Sequence, residues 1–553
     1  MNITVILLAS LSIKILLCSL GLIIFISCFA SMRNHRRRNS TLVILQNNST
    51  KQEFPVLYWE NSIGRDKNCD IVINDGSTSR NHAVLFRRKD GWFIYDTHSK
   101  SGVSVNGEKI KNKTKLNLND TISFGRTTLV LRKASESREI SSSYEHQTKD
   151  KPIRPARKLF LVTLFFIVAS AQPLFEARDL NLLALMPIVL FILVSWLFFF
   201  ISTKLLKRCT FELETLAIFL SGTGLTLISY ANLEESFVQL ASIAAGMLLF
   251  CAIIWFIQNP DIVSKLRLLI ALLAIALFIV NLVLAKEVNG ARNWIKIASF
   301  SVQPSEFIKV AFIFVGTATL DELQTTKSLS GFIIFSIICI GSLFLMKDFG
   351  TACIFFVTFL VISFMRSGSF RTLILSCSAA AIGVFMILTF KPYIKDRFAV
   401  WGHVWENAND LGYQQTRVLT YSASGGLLGV GVGKGYLKNI FAATGDLMFG
   451  MVCEEMGFII AIIIMLIIAG FSFYSHSQST KSRSTFYSIA ACAAASMLVF
   501  QTALHVFGTT DLLPLTGVTL PFVSLGGSSM ISSFGLLAFI KAADERTYSL
   551  KKN

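Results

Sequence analysis

The sequence predicts a mainly α-helical, polytopic membrane protein that carries a small all-β domain near its N-terminus. Hydrophobic residues make up 53% of the 553 residues and charged residues only 16%, whereas a soluble protein is less apolar and more charged. Apolar runs of about twenty residues, long enough to span a bilayer, recur from residue 158 to residue 545. The formal charge of +18 then indicates positive-inside bias and attraction to anionic lipid, so no nucleic-acid partner is expected.

The first segment, residues 1–32, is predicted to be a transmembrane anchor. It is apolar apart from Lys14, and a cluster of arginines follows at residues 33–38. A signal peptide carries its positive charge before the apolar run, so this charge order favours an anchor with its N-terminus outside the cell. Residues 25–28 loosely resemble a lipoprotein cleavage site, which would place the next domain outside, but the charge order argues against that alternative.

Residues 33–133 are predicted to form a cytoplasmic all-β sandwich. Short alternating strands are separated by turn residues, and Asn106-Gly107 between two short strands is a strong hairpin signal. Residues 134–157, which are rich in Ser, Glu and Lys, are predicted to be a flexible linker.

Twelve further spans bring the prediction to about 13 transmembrane helices. Two additional helices occupy residues 158–210, ten occupy residues 211–545, and residues 546–553 form a cytoplasmic tail. With residue 157 in the cytoplasm, Lys and Arg collect in the turns on that side, as the positive-inside rule requires. The stretches 285–303, 391–446 and 509–524 then lie outside the cell.

The sandwich contains four short polar motifs: Gly64-Arg65, Ser79-Arg80-Asn81-His82, Ser99-Lys100-Ser101-Gly102 and Asn106-Gly107. Their order and spacing resemble the forkhead-associated (FHA) family over residues 42–133. The resemblance implies that Arg65 and Ser79 hold the phosphate of a phosphothreonine peptide and that His82 braces the loop. A guanidinium fork and a hydroxyl suit a dianionic phosphate.

The other loop residues expected to bind the peptide are Arg80, Lys100 and Ser101. Lys100-Ser101 stand where the family usually has Thr-Asn, and the loss of the Asn amide weakens the expected grip on the peptide backbone. The expected partner is a phosphothreonine protein, such as a substrate of a Ser/Thr kinase. The alternative is an FHA fold that serves only as a structural spacer.

Polar residues inside apolar spans cost free energy, so their positions are informative. Glu306 and Lys309 stand three apart, so they share a helix face and can neutralise each other in the membrane. Other polar or glycine-rich blocks stand near the predicted outer ends of spans: 290–294, 303–309, 347–351, 397–398, 412–415, 425–435, 444–446 and 513–529.

Together these blocks resemble the SEDS family (shape, elongation, division and sporulation) over residues 211–545, the usual ten-helix core. The resemblance implies a peptidoglycan glycosyltransferase of a bacterial plasma membrane that polymerises lipid II into glycan strands. The 4-hydroxyl of the acceptor sugar would attack the anomeric carbon of the growing chain and displace undecaprenyl pyrophosphate with inversion. A class B penicillin-binding protein, a transpeptidase, is the implied partner. The sequence favours none of the division, elongation and sporulation roles.

Asp446 aligns with the essential outer-face aspartate of that family, which implies a role as base or metal ligand. The reaction needs a base for the hydroxyl and cationic or metal help for the pyrophosphate. A divalent cation, Mg²⁺ or Mn²⁺, is therefore considered as a cofactor, with Asp446 as its ligand, and no nucleotide or organic cofactor is expected. The structural alternative places Asp446 in the first turn of a helix that starts near residue 447.

Substrate-binding roles are expected for polar residues of these blocks: Arg292, Trp294, Gln303, Ser305, Glu306, Lys309, Asp348, Arg397, Gln414, Lys434 and Ser528. Two departures from the family pattern stand beside them. Residues 441–446 lack the Glu and His of the usual Pro-Glu-Ala-His-Thr-Asp, so any role of these two residues is absent or supplied elsewhere. Met346-Lys347 replace the usual Gln-Pro before Asp348.

Two other functions remain open at this point. A transporter or flippase for lipid-linked precursors would place its polar residues midway through the spans, whereas most of the matched residues cluster at the outer ends. The third interpretation is a catalytically inactive scaffold that recruits a phosphoprotein to the cell-wall machinery.

Overall fold

The computed structural model describes residues 3–34, 43–56, 60–67, 69–88, 91–97, 99–110, 113–133, 155–176, 182–205, 210–257, 260–285, 292–297, 300–317, 326–368, 370–390, 400–479 and 484–544. These residues form a β-sandwich and a mainly helical domain, so the predicted fold class is confirmed in this coarse form. The predicted tail and residues 134–154 of the predicted linker lie outside the described residues.

The β-sandwich is built from two sheets. Its strands are β1 Val43–Asn47, β2 Glu53–Val56, β3 Glu60–Gly64, β4 Ile71–Val72, β5 Ala83–Arg88, β6 Gly91–Asp96, β7 Val103–Val105, β8 Glu108–Lys109, β9 Thr114–Leu116, β10 Thr121–Phe124 and β11 Thr127–Lys133. One sheet has the order β2-β1-β11-β10-β7-β8 and the other β4-β3-β5-β6-β9. Alternate side chains, among them Leu45, Leu85 and Phe124, are fully buried between the sheets.

The predicted hairpin at Asn106-Gly107 is present and joins β7 to β8. Both turn residues have positive φ angles, 52° at Asn106 and 91° at Gly107, as a tight two-residue hairpin turn requires. The hairpin therefore follows directly from the local sequence.

The helical domain contains sixteen described α-helices. They are α1 Ile3–Asn34, α2 Pro155–Glu176, α3 Leu185–Phe200, α4 Glu212–Ala231, α5 Leu233–Ile257, α6 Pro260–Leu284, α7 Pro304–Thr317, α8 Thr326–Leu345, α9 Phe349–Ser367, α10 Phe370–Phe390, α11 Tyr413–Gly425, α12 Ala443–Asp446, α13 Met448–Glu455, α14 Gly457–Ser479, α15 Thr485–Thr509 and α16 Gly527–Ala542. Among the described residues, nine helices are long and apolar enough to cross a membrane, namely α1 to α6, α9, α14 and α15. Shorter apolar helices lie within α8, α10 and α16.

Four segments differ from the sequence expectation. The predicted span at residues 447–474 is broken into α13 and α14 at Gly457, where φ is 87°. Only glycine fits at this position, because a side chain there would overlap the backbone of Leu427 and Gly429. The predicted outer loop 391–446 contains helix α11, and the loop 285–303 contains a hairpin of β12 Ile295–Ile297 and β13 Phe300–Val302. Helix α2 begins at Pro155, inside the predicted linker, and proline suits the first turn of a helix.

Helix α1 links the two ends of the helical domain. Lys14 donates a hydrogen bond from Nζ to the carbonyl oxygen of Val430, 3.1 Å away, in the segment that follows α11. Ser31 donates to a carboxylate oxygen of Glu212, 2.7 Å away, at the start of α4. The two residues are seventeen positions apart, which corresponds to about 26 Å of helix, close to the ~30 Å of a bilayer's hydrocarbon core. We call the end with Val430 the loop end and the end with Glu212 the sandwich end.

The β-sandwich contacts the helical domain directly at the sandwich end. The buried carboxylate of Glu60 in β3 accepts hydrogen bonds from the Ser484 hydroxyl at 3.2 Å and from the Thr485 backbone N–H at 2.8 Å. Thr485 is the first residue of α15, so the negative charge of Glu60 meets the positive end of that helix. The two domains are therefore joined by a noncovalent contact as well as by the covalent linker.

Candidate functional site

In the sandwich, His82 joins the loop that contains Ser79 to the loop that contains Gly102. The fully buried imidazole accepts a hydrogen bond at Nδ1 from the Ser79 backbone N–H, 3.0 Å away. Its proton is then on Nε2, which donates to the Gly102 carbonyl oxygen at 3.1 Å. The Lys100 backbone N–H donates to the Ser79 hydroxyl at 3.0 Å. These bonds fix the backbone of both loops and leave Ser79 at their junction.

A positively charged rim surrounds Ser79. The side chains of Arg65, Arg80 and Lys100 are exposed, and the Arg65 backbone N–H donates to the Ser79 carbonyl oxygen at 3.0 Å. A side chain at Gly64 would overlap the Arg80 carbonyl, so only glycine allows this close approach of the loops. The five residues expected to bind phosphothreonine therefore lie on one loop cluster, with the exposed Ser101 anchored through its hydroxyl to the Ser77 carbonyl at 2.5 Å.

Asp75 and Cys69 are structural parts of this loop cluster. Hydrogen bonds from the backbone and side chain of Ser77, and from Thr127, hold the pKa of Asp75 below its usual value. Burial raises the pKa of the Cys69 thiol, so the thiol stays protonated and unreactive. Neither residue is available for chemistry at the rim.

At the loop end, Asp446 stands on a short segment with a fixed backbone. It is the last residue of α12, and its side chain is half-buried. The Ser524 hydroxyl donates to the Gly445 carbonyl at 2.6 Å, and the Leu525 N–H donates to the Thr444 carbonyl at 2.7 Å. These two bonds fix the backbone just before Asp446, and a half-buried carboxylate in such a position can accept a proton or bind a cation.

The helix-cap alternative for Asp446 does not match the described geometry. The N-cap position of α13 is Leu447, and Asp446 precedes it. Gly517, with φ at 67°, lies directly beside the carboxylate, since an added Cβ there would be in van der Waals contact with Oδ2 of Asp446 at 3.5 Å. The carboxylate thus faces a glycine of the 513–529 block.

A second polar cluster joins the 513–529 block to α7 and α9. Asp348 caps α9 by accepting from the Thr351 N–H at 3.2 Å. Its Oδ2 accepts from Gln303 Nε2 at 3.1 Å and from Asn293 Nδ2 at 3.3 Å, and the Gln303 N–H donates to the Ser528 hydroxyl at 3.1 Å. The structure thus brings together three residues expected to bind substrate, and Asp348 has a structural role there.

The predicted Glu306–Lys309 pair is present and buried in the helical domain. Nζ of Lys309 lies 2.7 Å from Glu306 Oε1 and 2.8 Å from Gln501 Oε1. Ser532 donates to the other oxygen of Glu306 at 2.6 Å. Gln501 and Ser532 were missed by the sequence reasoning because they lie 192 and 226 residues away from their partners along the chain. The neighbouring Ser305 is also buried.

Other residues expected to bind substrate lie at the loop end. The Arg292 side chain is exposed and that of Trp294 is half-buried, and Gln414 donates to the Phe441 carbonyl at 2.9 Å. Lys434 lines an open cavity of about 670 Å³. The residues around this cavity are Thr420, Tyr421, Ser424, Val430, Lys434, Tyr436 and Glu454. Arg397 lies outside the described residues.

Two acids that the sequence left without a role hold the glycine-rich segment, residues 425–435. Glu455 accepts from the Gly433 N–H at 2.7 Å. Glu454 accepts from the N–H groups of Tyr436 and Leu437 at 2.7 and 3.0 Å. A pair of adjacent acidic residues in an apolar run downstream of a glycine tract is the sequence signal that could have indicated this arrangement. The segment is therefore a loop fixed by carboxylates, with no resemblance to a nucleotide-binding strand–loop–helix.

The described residues contain no group of three or more His, Cys, Asp or Glu side chains placed to hold a metal ion. Asp446 contributes a single carboxylate. Mg²⁺ commonly binds through one or two carboxylates together with water and substrate phosphates. A site in which Asp446 is the carboxylate ligand is compatible with this kind of binding.

The buried ion pair should be a stability element, which a double-mutant cycle can measure. Lys309→Met leaves Glu306 charged, buried and without its cation, and we expect a loss of about 3–5 kcal/mol of unfolding free energy. The Glu306→Gln/Lys309→Met double variant should recover most of that loss because no buried charge remains. Thermal unfolding of the detergent-solubilised protein compares the variants. Equal destabilisation of the single and double variants would contradict the pairing.

Comparisons with known proteins agree with this architecture. The FtsW/RodA/SpoVE family model, described as a cell cycle protein, matches residues 204–549, and the FHA domain model matches residues 61–125. A probable peptidoglycan glycosyltransferase FtsW of Wigglesworthia glossinidia brevipalpis is 31% identical over 291 residues, which cover 51% of this chain and 76% of that protein. The peptidoglycan glycosyltransferase RodA of Mycobacterium tuberculosis is 24% identical over 350 residues, 58% of this chain and 75% of that protein.

A solved structure shares the fold of the helical domain. It comes from a peptidoglycan synthase complex, and its matching chain is 21% identical, with a TM-score of 0.52. The alignment covers 62% of this chain and 98% of that one. Together with the apolar helices, these similarities show a membrane-embedded protein.

Proposed function

Because the chain belongs to the FtsW/RodA/SpoVE family, we propose that it is a peptidoglycan glycosyltransferase that polymerises lipid II into glycan strands. The observation that carries the proposal is the half-buried Asp446 on a fixed segment at the loop end. The 513–529 block contacts both this segment and Gln303, which in turn contacts Asp348. The block therefore links α12 to the residues that immediately precede α7 and α9. Relatives named peptidoglycan glycosyltransferases support the same activity.

In the proposed reaction Asp446 is the general base. It removes the proton from the 4-hydroxyl of the acceptor sugar while that oxygen forms a bond to the anomeric carbon of the growing chain. The bond from the anomeric carbon to the pyrophosphate oxygen breaks, and undecaprenyl pyrophosphate leaves with inversion. Lys434, in the open cavity, is the proposed cationic partner of the pyrophosphate. A Mg²⁺ or Mn²⁺ ion held by Asp446 would supply further charge stabilisation.

Transport of lipid-linked precursors is less well supported. A transport path through the bundle needs polar groups that a passing substrate can reach. The buried polar group that the sequence placed within the spans is the Glu306–Lys309 pair, whose charged atoms are bonded to each other, to Gln501 and to Ser532. The cavity with Lys434 lies at the loop end. These positions favour a reaction at one face of the membrane over transport through the helical domain.

We further propose an orientation with the N-terminus and the loop end outside, the FHA domain in the cytoplasm, and about 13 spans in all. The contacts of Lys14 at the loop end and of Ser31 at the sandwich end agree with α1 crossing the whole bilayer. Glu60 joins the sandwich to the start of α15, at the end opposite Asp446. Lipid II polymerised at the outer face would then meet Asp446, while a kinase substrate would meet Arg65.

The FHA domain is proposed to recruit or regulate through a phosphothreonine protein. Its exposed Arg65, Arg80 and Lys100 surround Ser79, and the backbone there is fixed by His82. Such a preformed cationic rim suits a phosphate dianion. A class B penicillin-binding protein is the proposed transpeptidase partner at the outer face, consistent with the similarity to a chain of a peptidoglycan synthase complex.

The central test of catalysis is Asp446→Asn. The substitution keeps the shape of the side chain but removes the base, so we expect glycan-strand synthesis to fall by about a hundred- to ten-thousand-fold. Asp446→Glu should keep only traces of activity because the carboxylate is displaced. The measurement is polymerisation of fluorescent lipid II by purified protein with its partner transpeptidase, at matched expression.

Asp410→Asn is the matched control, since Asp410 is an exposed acid in the same predicted outer loop. It should retain wild-type activity. A rate above one-tenth of wild type for Asp446→Asn would remove Asp446 from the catalytic role. An inactive wild-type protein would favour the scaffold interpretation.

Arg65→Ala tests the phosphopeptide site. Loss of a charge-assisted hydrogen bond typically costs about 1.5–3 kcal/mol, so the affinity for a phosphothreonine peptide should fall about ten- to a hundredfold. Arg65→Lys should restore only part of it because lysine lacks the planar fork. Arg132→Ala, at an exposed arginine on β11, is the control and should bind normally.

Titration calorimetry with phosphorylated and unphosphorylated peptides measures these affinities. Lipid II polymerisation by Arg65→Ala should stay near wild type, since Arg65 is exposed and the sandwich contact with α15 is made by Glu60. Equal binding of the two peptides by the wild type would leave only the spacer interpretation.

A further inference from the structure

The glycine-rich segment 425–435 is contacted by two helices that the family model does not include. The model matches residues 204–549, whereas α1 and α2 precede it. From α1, Lys14 donates a hydrogen bond to the Val430 carbonyl at 3.1 Å. From α2, the buried side-chain oxygen of Gln172 accepts from the Val432 N–H at 3.4 Å.

On its other side the same segment is bound to α13. The N–H groups of Val430 and Gly431 donate to the carbonyl oxygens of Glu454 and Glu455 at 2.8 and 3.0 Å. Gly433 donates to the Glu455 carboxylate at 2.7 Å. Residues 430–433 are therefore held between the acid pair of the family core on one side and the two added helices on the other.

Lys14 has an unusual position for a charged residue. Before Arg33 it is the one Lys, Arg, Asp or Glu residue of α1, and it lies in a segment with a mean hydropathy of 2.5. A charged side chain in a transmembrane helix costs free energy and usually marks a functional contact. Its bond to Val430, 416 residues away in the chain, gives that charge a partner at the outer loop.

Close packing fixes the position of both helices. Gly21 of α1 lies against Ile460 of α14, and the ring of Phe29 occupies the space where Gly470 lacks a side chain. On α2, Phe166 fills the equivalent space beside Gly222 of α4, and the Tyr230 hydroxyl donates to the Ser170 carbonyl at 3.2 Å. Tyr230 also packs against Gly433. The helices cannot slide along the core without overlap, so the backbone positions that carry Lys14 and Gln172 are fixed.

We propose that Lys14 and Gln172 are positioning residues for the glycine-rich segment, which provides Val430 and Lys434 to the open cavity at the loop end. The catalytic consequence rests on the proposed function, whereas the support of the segment itself does not. With the segment held in place, Lys434 is oriented toward the leaving pyrophosphate without reorganisation. Loss of a support should therefore lower kcat more than it raises KM.

The test uses the full-length purified protein with Lys14→Met, which keeps the length of the side chain and removes its donor. Backbone amide hydrogen exchange in residues 426–436 should become at least several-fold faster, because a lost hydrogen bond lowers the cost of local opening. In lipid II polymerisation, kcat should fall about tenfold with KM nearly unchanged. Lys14→Arg should restore both readouts. Ser19→Ala is the control, since Ser19 is exposed on α1 and bonds only to its own helix.

Gln172→Leu provides an independent variant if Lys14→Met does not fold, and it should also accelerate exchange in residues 426–436. Unchanged exchange there in the variants would overturn the proposal, as would equal acceleration throughout the helical core. A wild-type protein that makes no glycan strands would refute the proposed function. The hydrogen-exchange measurement would still test whether Lys14 and Gln172 hold the glycine-rich segment in place.

Discussion

The arrangement of the helical domain depends on the pairing of charges that its helices bury. At the sandwich end, Lys541 of α16 contacts Glu214 of α4 at 3.0 Å, and Lys158 of α2 contacts Glu212 at 2.8 Å. The first pair joins α16 to α4, the second joins α2 to α4, and the Glu306–Lys309 pair of α7 is linked to α15 through Gln501. An unpaired charge in this environment would be strongly destabilising, so each pair restricts which helices can be neighbours. The apolar side chains then pack between the helices that these charge pairs hold together.

One consequence is the separation of two chemically different sites. The sandwich, which carries the cationic rim around Ser79, contacts the sandwich end of the helical domain, whereas Asp446 lies at the loop end. Helices such as α1 run from one of these ends to the other. In the proposed orientation a bilayer lies between the two sites, so that a kinase substrate in the cytoplasm meets the rim and lipid II outside meets Asp446. The sandwich still contacts the helical domain through Glu60, so a phosphoprotein bound at the rim would be anchored to the membrane enzyme.

Much of this architecture could be predicted from the sequence because it depends on local patterns. Strand alternation and the Asn106-Gly107 turn predicted the sandwich, and apolar runs predicted the membrane helices. The break between α13 and α14 could not be predicted, since Gly457 adopts its positive φ only because Leu427 and Gly429 approach it. The same is true of the partners of Lys14 and Lys309, which lie hundreds of residues away along the chain. Asp446 was found through family resemblance, and its surroundings became clear only from the fold.

The central claim, that the two sites face opposite sides of a membrane, is tested most directly by cysteine labelling in intact bacterial cells. Glu108→Cys places an exposed thiol on the sandwich, and Asn409→Cys places one at the loop end. Labelling by a membrane-impermeant maleimide is compared with that of the wild-type protein before and after permeabilisation. We expect Asn409→Cys to react in intact cells and Glu108→Cys to react only after permeabilisation. Labelling of Glu108→Cys in intact cells would contradict the account.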